Sequence, residues 1–168
     1  MQSPLRPGDV LIAVQAAQPE TLPALTVIGH VHSVHVTTDD APKNTAEART
    51  KAREHAASAW LEIEAPYRPG LAGLAAYSHI IVLGWLHQAR RDLVQITRPA
   101  DRESKGVFSL RSPVRPNPIS VSVVRMHAVD IATGRIDIDA IDLLDGTPIV
   151  DLKPYRPGID AIPDAVVA

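Results

Sequence analysis

The chain has 168 residues, with 17 Lys and Arg against 19 Asp and Glu and a formal net charge of −2, so no global positive field grips nucleic acid and any RNA contact must be local. Hydrophobic residues at 45% and charged residues at 21% exclude a disordered polar chain, and the lack of cysteine excludes disulfides, thiolate metal sites and a thiol nucleophile. Met1 to Asp9 is polar and no later stretch reaches the length of a membrane span, so the expectation is a soluble cytoplasmic protein with no membrane association.

Fifteen prolines and nine glycines, scattered along the chain, argue for strands and turns over a helical bundle. The apolar run Val10 to Ala17 fits a strand or a short helix. Leu25 to Thr37, rich in β-branched residues with partial alternation, predicts a half-buried strand that Asp39-Asp40-Ala41-Pro42 breaks. Thr45 to Ala57 is alanine-rich, charged and free of Gly and Pro, which predicts a helix inserted between strands, with Glu47 and Lys51 at i, i+4 spacing. Trp60 to Ile63 alternates as a strand, Tyr67 to Gly70 reads as a turn, and Leu71 to Tyr77 as one or two helical turns.

His79 to Leu86 is a near-continuous apolar run, expected to be covered on both faces and to end at His87-Gln88. Leu93 to Thr97 resumes strand character, and Ala100 to Lys105 reads as a loop. Gly106 to Leu110, Ser120 to Met126, Arg135 to Ile141 and Thr147 to Asp151 give further strands, with turns at Thr133-Gly134 and Asp145-Gly146. Repeated short strands predict a mainly β barrel or sandwich with one or two short helices.

His30 and His32 share a strand face by period-two counting while His35 falls on the other, so the trio does not predict a metal site. Asp39-Asp40 and Asp137-Asp139 read as turn and exposed-face carboxylates. Three prolines within Arg111 to Ile119 fix a rigid path that cannot join a central ladder. Arg111, Arg115 and Asn117 on it suit a preorganised polar ligand site; equally, the segment could be a surface connection whose arginines pair with Asp142 or Asp145.

The strings Gly106 to Pro113, Arg115 to Ile119 and Asp142 to Tyr155 resemble the TsaA-like family of tRNA N6-threonylcarbamoyladenosine methyltransferases, and the likeness extends through Ile28-Gly29, Val31, Ser33, Pro42, Tyr77 to Leu83 and His87-Gln88. The resemblance implies a small antiparallel β-barrel at residues 25–160, with 1–24 as an N-terminal extension part of or packed on it and 161–168 as a C-terminal tail. It implies S-adenosylmethionine bound outside the Rossmann architecture, commonly in a homodimer with the cofactor near the subunit interface. No glycine-rich βα turn of dinucleotide type is present, in keeping with that.

Carried over by matched motif, the cofactor residues are Lys43, Asn44, Thr45, His87, Gln88, Arg111, Val121, Asp139, Ala140, Ile141 and Asp142, with Arg115 and Asn117 toward the substrate. Arg111 or Lys43 would take the methionyl carboxylate and Asp142 an adenosyl or ribose group. Methyl transfer from a sulfonium rests on in-line positioning, and His87 is the candidate catalytic base should one be needed. Lys43 and Asn44 stand where the family usually has arginine and glutamine, and Ser120 replaces a frequent glycine. The chain ends soon after Asp160, without room for the C-terminal domain of some bacterial members, so tRNA capture would rest on Arg90, Arg91, Arg98, Arg102, Lys105 and Arg115. Methylation of a small molecule or another nucleoside, and noncatalytic sensing of the cofactor, are the alternatives.

Overall fold

The computed structural model of the chain describes residues 5–11, 24–55, 58–98 and 103–166. Its strands are β1 (Val10–Leu11), β2 (Gly29–His32), β3 (Ala59–Ile63), β4 (His79–Trp85), β5 (Leu93–Ile96), β6 (Lys105–Gly106), β7 (Ile119–Asp130), β8 (Arg135–Ile138) and β9 (Pro148–Pro154); its helices are α1 (Thr45–His55) and α2 (Pro157–Asp160). The chain forms two compact units, one from Met1–Thr26 with Trp85–Ser120 and one from Val27–Gly84 with Val121–Ala168.

In the larger unit the strands close a barrel in the order β2-β3-β8-β7-β4-β9, so the mainly β barrel expected from sequence is the observed fold. Antiparallel ladders pair Val31 with Leu61, Leu61 with Ile136 and Val82 with Leu152, and β2 meets β9 at Gly29 and Ile149. Alternation sends Val31, Leu61, Ile80, Val82, Val124 and Ile149 fully inside, each contributing roughly 1.5–3 kcal/mol of burial. β4 is not covered on both faces as its run of apolar residues suggested: half-buried and buried residues alternate along it, because a barrel strand has one interior side.

The strand expected over Leu25 to Thr37 shrinks to Gly29–His32. Beyond it, side chains replace the ladder: the Ser33 amide donates to Asp145 Oδ1 at 3.1 Å and the His35 amide to Ser33 Oγ at 3.2 Å, leaving Val34 and Val36 exposed. The expected turn at Tyr67 to Gly70 and helical segment at Leu71 to Tyr77 are two 3-10 helices, Ala65–Leu71 and Leu74–Ala76, the first opened by a proline in its initial turn. β8 stops at Ile138 rather than Ile141, whereas β7 and β9 run longer than expected, to Asp130 and Pro154. The turn at Thr133-Gly134 forms as read, with Gly134 at φ +78° and the Asp130 carboxylate accepting from the Ala132 and Thr133 amides.

The smaller unit holds the sheet β1-β5-β6, where Val10 pairs with Gln95 and Gln95 with Gly106. Only Val10–Leu11 of the run Val10 to Ala17 is described, and it is strand; the rest lies outside the described residues, as do Ala56-Ala57 of the expected helix and Ala100 to Arg102 of the expected loop, whose last residue, Lys105, begins β6. Gly106 to Leu110 is not a strand: β6 ends at Gly106 and a 3-10 turn follows over Val107–Ser109, fixed by Ser109 Oγ donating to the Gly106 carbonyl at 2.8 Å. Leu93, Ile96 and Val107 form its core, with Leu110 and Val114 packed against them.

Asp9 ties the start of this unit down. Its carboxylate accepts from the Arg6 and Thr97 amides, each at 3.0 Å. Burial raises its pKa, but the hydrogen bonds from Arg6 and Thr97 and the charges of Arg6 and Arg90 outweigh it, and the net pKa lies below the usual 3.8. A lowered folded pKa means the stabilisation is complete above the unfolded value and is lost as pH falls through the folded one. In an acid titration followed by NMR, the Arg6 and Thr97 amide protons are expected to move together with a midpoint below 3.8, and to stay still in Asp9→Asn; a midpoint at or above 3.8 would contradict the assignment.

Candidate functional site

The barrel unit carries eight of the residues expected to hold a cofactor. Pro42 is buried and Asn44 caps α1: its Oδ1 accepts from the Glu47 amide at 3.0 Å, while Glu47 Oε2 reaches back to the Lys43 amide at 3.1 Å. That hydrogen bond from Lys43, and then Lys51, lower the Glu47 pKa; Lys51 Nζ lies 3.2 Å from its carboxylate, the i, i+4 pair expected. Asn44 therefore spends its carbonyl oxygen on the helix, and its amide nitrogen is what remains for a ligand. The Lys43 side chain is exposed.

Capping aims Thr45, the first helical residue, at Asp142. Thr45 Oγ1 donates to Asp142 Oδ1 at 3.2 Å, and Ser122 Oγ donates to the same oxygen at 2.8 Å. Ser122 is 2% exposed, so its hydroxyl is fixed in direction and orients the half-buried carboxylate. Among the described residues Asp142 Oδ2 has no hydrogen bond, which leaves an ionised acceptor aimed by two hydroxyls and free to take a donor from a ligand.

Asp139 is placed differently. Its Oδ2 takes Arg49 Nε at 2.8 Å and its Oδ1 takes the Arg125 amide at 2.9 Å, while Arg49 Nη2 donates to the Val123 carbonyl at 2.7 Å. The carboxylate bolts α1 to β7, with each of its oxygens already accepting one hydrogen bond. Ala140 and Ile141 are 3% and 1% exposed; beside them lies a small pocket of about 90 Å³, lined also by Val34, His35, Ala48 and Lys51. Burial, followed by the Lys51 charge, lowers the His35 pKa there and favours the neutral ring. Val121 is 47% exposed on β7.

The smaller unit carries the rest. The Ala89 amide donates to the Leu86 carbonyl at 2.9 Å, which makes His87 and Gln88 the exposed middle of a tight turn, their side-chain nitrogens 3.4 Å apart. Arg111 and Asn117 are exposed on the proline segment. Arg115 is not a free fork and does not pair with Asp142 or Asp145: its Nε donates to the Ser112 carbonyl at 2.9 Å, and its Nη2 to the Val107 carbonyl at 3.0 Å and to that of Leu110. It braces the loop through Nε and Nη2. Arg90 forks onto Asp92 at 2.8 and 2.7 Å; Arg91 lies 5.0 Å over Trp85 and donates to the Pro116 carbonyl at 3.0 Å. Three of the arginines expected to grip RNA are thus engaged within the unit, and Arg102 lies outside the described residues.

Two residues that matter here escaped the sequence reading, Ser122 and Arg49. Ser122 had a signal: it shares the inward row of β7 with Val124 and Met126, where a hydroxyl needs an acceptor. Arg49 had none, since its partners lie far along the chain. On the outer barrel face His32 stacks on Trp60 at 3.7 Å and Arg135 covers Trp60 at 4.3 Å, with Glu62 3.0 Å from His32. Among the described residues no group of three or more His, Asp or Glu is placed to hold a metal ion, and no helix is long and apolar enough to cross a membrane.

A family model described as the tRNA-methyltransferase O N-terminal domain matches residues 30–161. VirR of Rhizobium radiobacter is 46% identical over 96 residues, 57% of this chain and 54% of that protein. An S-adenosyl-L-methionine-binding protein of Archaeoglobus fulgidus is 37% identical over 138 residues, 82% of this chain and 93% of that protein. A crystal structure of TrmO from P. aeruginosa superposes with a TM-score of 0.67 at 33% identity, over 90% of this chain and 63% of that one. The chain therefore spans about half of VirR, most of the Archaeoglobus protein and under two thirds of the TrmO crystal chain. A match over 30–161, carried on the same barrel, places this chain in the tRNA-methyltransferase O N-terminal domain family.

Proposed function

We propose that the protein binds S-adenosylmethionine and N6-methylates threonylcarbamoyladenosine in the anticodon loop of tRNA. The observation that carries the cofactor reading is the Asp142 carboxylate, one oxygen fixed by Ser122 and Thr45 and the other open. An ionised acceptor of fixed direction fits the paired hydroxyls of a ribose or the exocyclic amine of an adenine. Family membership and the S-adenosyl-L-methionine-binding relative support the same reading. The tRNA substrate rests on the family's name and on the resemblance of the strings 106–119 and 142–155.

When bound, S-adenosylmethionine supplies an electrophilic methyl group on a sulfonium. The protein's part is positioning: Asp142 and the Thr45 hydroxyl hold the adenosyl end, and the Lys43 ammonium or Arg111 guanidinium takes a carboxylate. His87 and Gln88, presented at the middle of their turn, enter by matched motif, His87 as acceptor of the proton released by the attacking nitrogen. A homodimer is part of the proposal, supported by the 70% and 81% exposure of Val36 and Phe108, apolar side chains that a second copy would cover.

Calorimetric titration with S-adenosylmethionine tests the first half, with micromolar binding expected; no heat across a well-sampled titration would overturn it. Incubation with methyl-labelled cofactor and tRNA carrying threonylcarbamoyladenosine tests the second. Label at the adenine N6 is the expected result, and binding without transfer would overturn the tRNA reading while leaving the cofactor site in place.

A further inference from the structure

A surface pocket of about 480 Å³ opens on the barrel unit between Tyr77, Tyr155 and the α2 segment Arg156, Pro157, Gly158 and Ile159. None of these residues belongs to the cofactor set, yet Tyr77 and Tyr155 both stand in the strings that carry the family resemblance. The tyrosines are held in place by backbone: the Tyr77 amide closes the Leu74 3-10 turn at 3.0 Å and the Tyr155 amide donates to the His79 carbonyl at 3.0 Å. The His79 ring meets Tyr155 edge-on, centroids 6.4 Å apart, and is itself 2.8 Å from Ser78 Oγ. Tyr77 remains 37% exposed.

The polar side-chain ends of Tyr77, Tyr155 and Arg156 are unspent. Among the described residues neither phenol hydroxyl and no guanidinium nitrogen of Arg156 has a hydrogen bond or ion pair; Asp160, the acid nearest in sequence, uses Oδ2 on the Arg156 amide at 2.6 Å instead. A Cβ added at Gly158 would meet nothing within 4 Å, so the space beside this lining residue is open. Tyr77, Tyr155 and Arg156 around one largely apolar cavity supply the residue types that take a π-faced base joined to a phosphate.

We propose that this pocket is a nucleotide subsite, separate from the cofactor residues, in which a base stacks on the tyrosines and its phosphate pairs with Arg156. The proposal rests on the RNA reading for its biological meaning, but its test does not need S-adenosylmethionine. The full chain is titrated with adenosine 5′-monophosphate by calorimetry, alongside Tyr155→Leu, Tyr155→Phe, Arg156→Gln and Asp142→Ala, with circular dichroism to verify that each is folded.

Loss of affinity by about tenfold or more in Tyr155→Leu is expected, with retention within a few-fold in Tyr155→Phe. Arg156→Gln should weaken the monophosphate several-fold, lower the salt dependence of binding and leave adenosine unchanged. Undiminished binding in both Tyr155→Leu and Arg156→Gln, no binding at millimolar nucleotide, or loss confined to Asp142→Ala, which would seat the nucleotide at the cofactor residues, would each overturn the proposal. Because the cofactor titration is separate, a failure here leaves that reading standing and the reverse is also true.

Discussion

Gly29→Ala is expected to cost the barrel about 3 kcal/mol or more and to lower its melting temperature by roughly 6–12 °C at least. An added Cβ at this position would lie 2.0 Å from the Glu62 carbonyl oxygen and 3.0 Å from Ile63 Cδ1. The first of these contacts is with backbone, so no rotamer change relieves it. Gly29 also sits at the closing seam, paired with Ile63 on β3 and with Ile149 on β9, so displacing it strains two ladders at once. The matched control is Gly70→Ala, where a Cβ meets nothing within 4 Å and little change is expected. Thermal denaturation of the two variants side by side checks the argument, and equal melting temperatures would refute it.

Asp142→Ala is expected to weaken S-adenosylmethionine binding by about ten- to a hundredfold, the worth of one or two hydrogen bonds to a charged group. It also strands the Ser122 hydroxyl, which is 2% exposed and loses its acceptor at 2.8 Å, so a destabilisation of about 1–3 kcal/mol accompanies the binding loss. Two further variants separate the effects. Asp142→Asn keeps an acceptor for Ser122 and Thr45 but removes the charge, so it should recover stability and not affinity. Ser122→Ala keeps the carboxylate but frees its rotamer, so it should lose affinity by a smaller factor than Asp142→Ala. Unaltered cofactor affinity in Asp142→Ala, measured by calorimetry, would remove this residue from the site.

The barrel was legible because its signal is local: short β-branched runs, proline and glycine between them, and turn pairs such as Thr133-Gly134 that behave as their residues dictate. Strand ends were less so. Nothing in Ser33 to Thr37 announces that Asp145, far along the chain, takes the amide a ladder would have used. Asp142 was legible only through a resemblance, since an isolated aspartate at the end of a strand is an ordinary turn residue. Arg115 and Asp139 show the limit from the other side. Each was carried over as a ligand residue by the resemblance, and each is also engaged by carbonyl, amide or guanidinium partners that no spacing rule brings together.

The barrel seam between β2 and β9 also bears on how the chain reaches its native state. The first ladder, β2 with β3, joins strands separated only by α1 and its connections, whereas the ring closes only when Gly29 finds Ile149, from the opposite end of the unit. Such a closure pays a large loop entropy before any contact repays it, so folding should be slow for a domain of this size, with β9 docking late. During synthesis, β2 and β4 would present unpaired ladder groups until the ribosome has released β9. In that interval the nascent chain is most open to strand exchange with a neighbour, and closure of the ring is what ends the exposure.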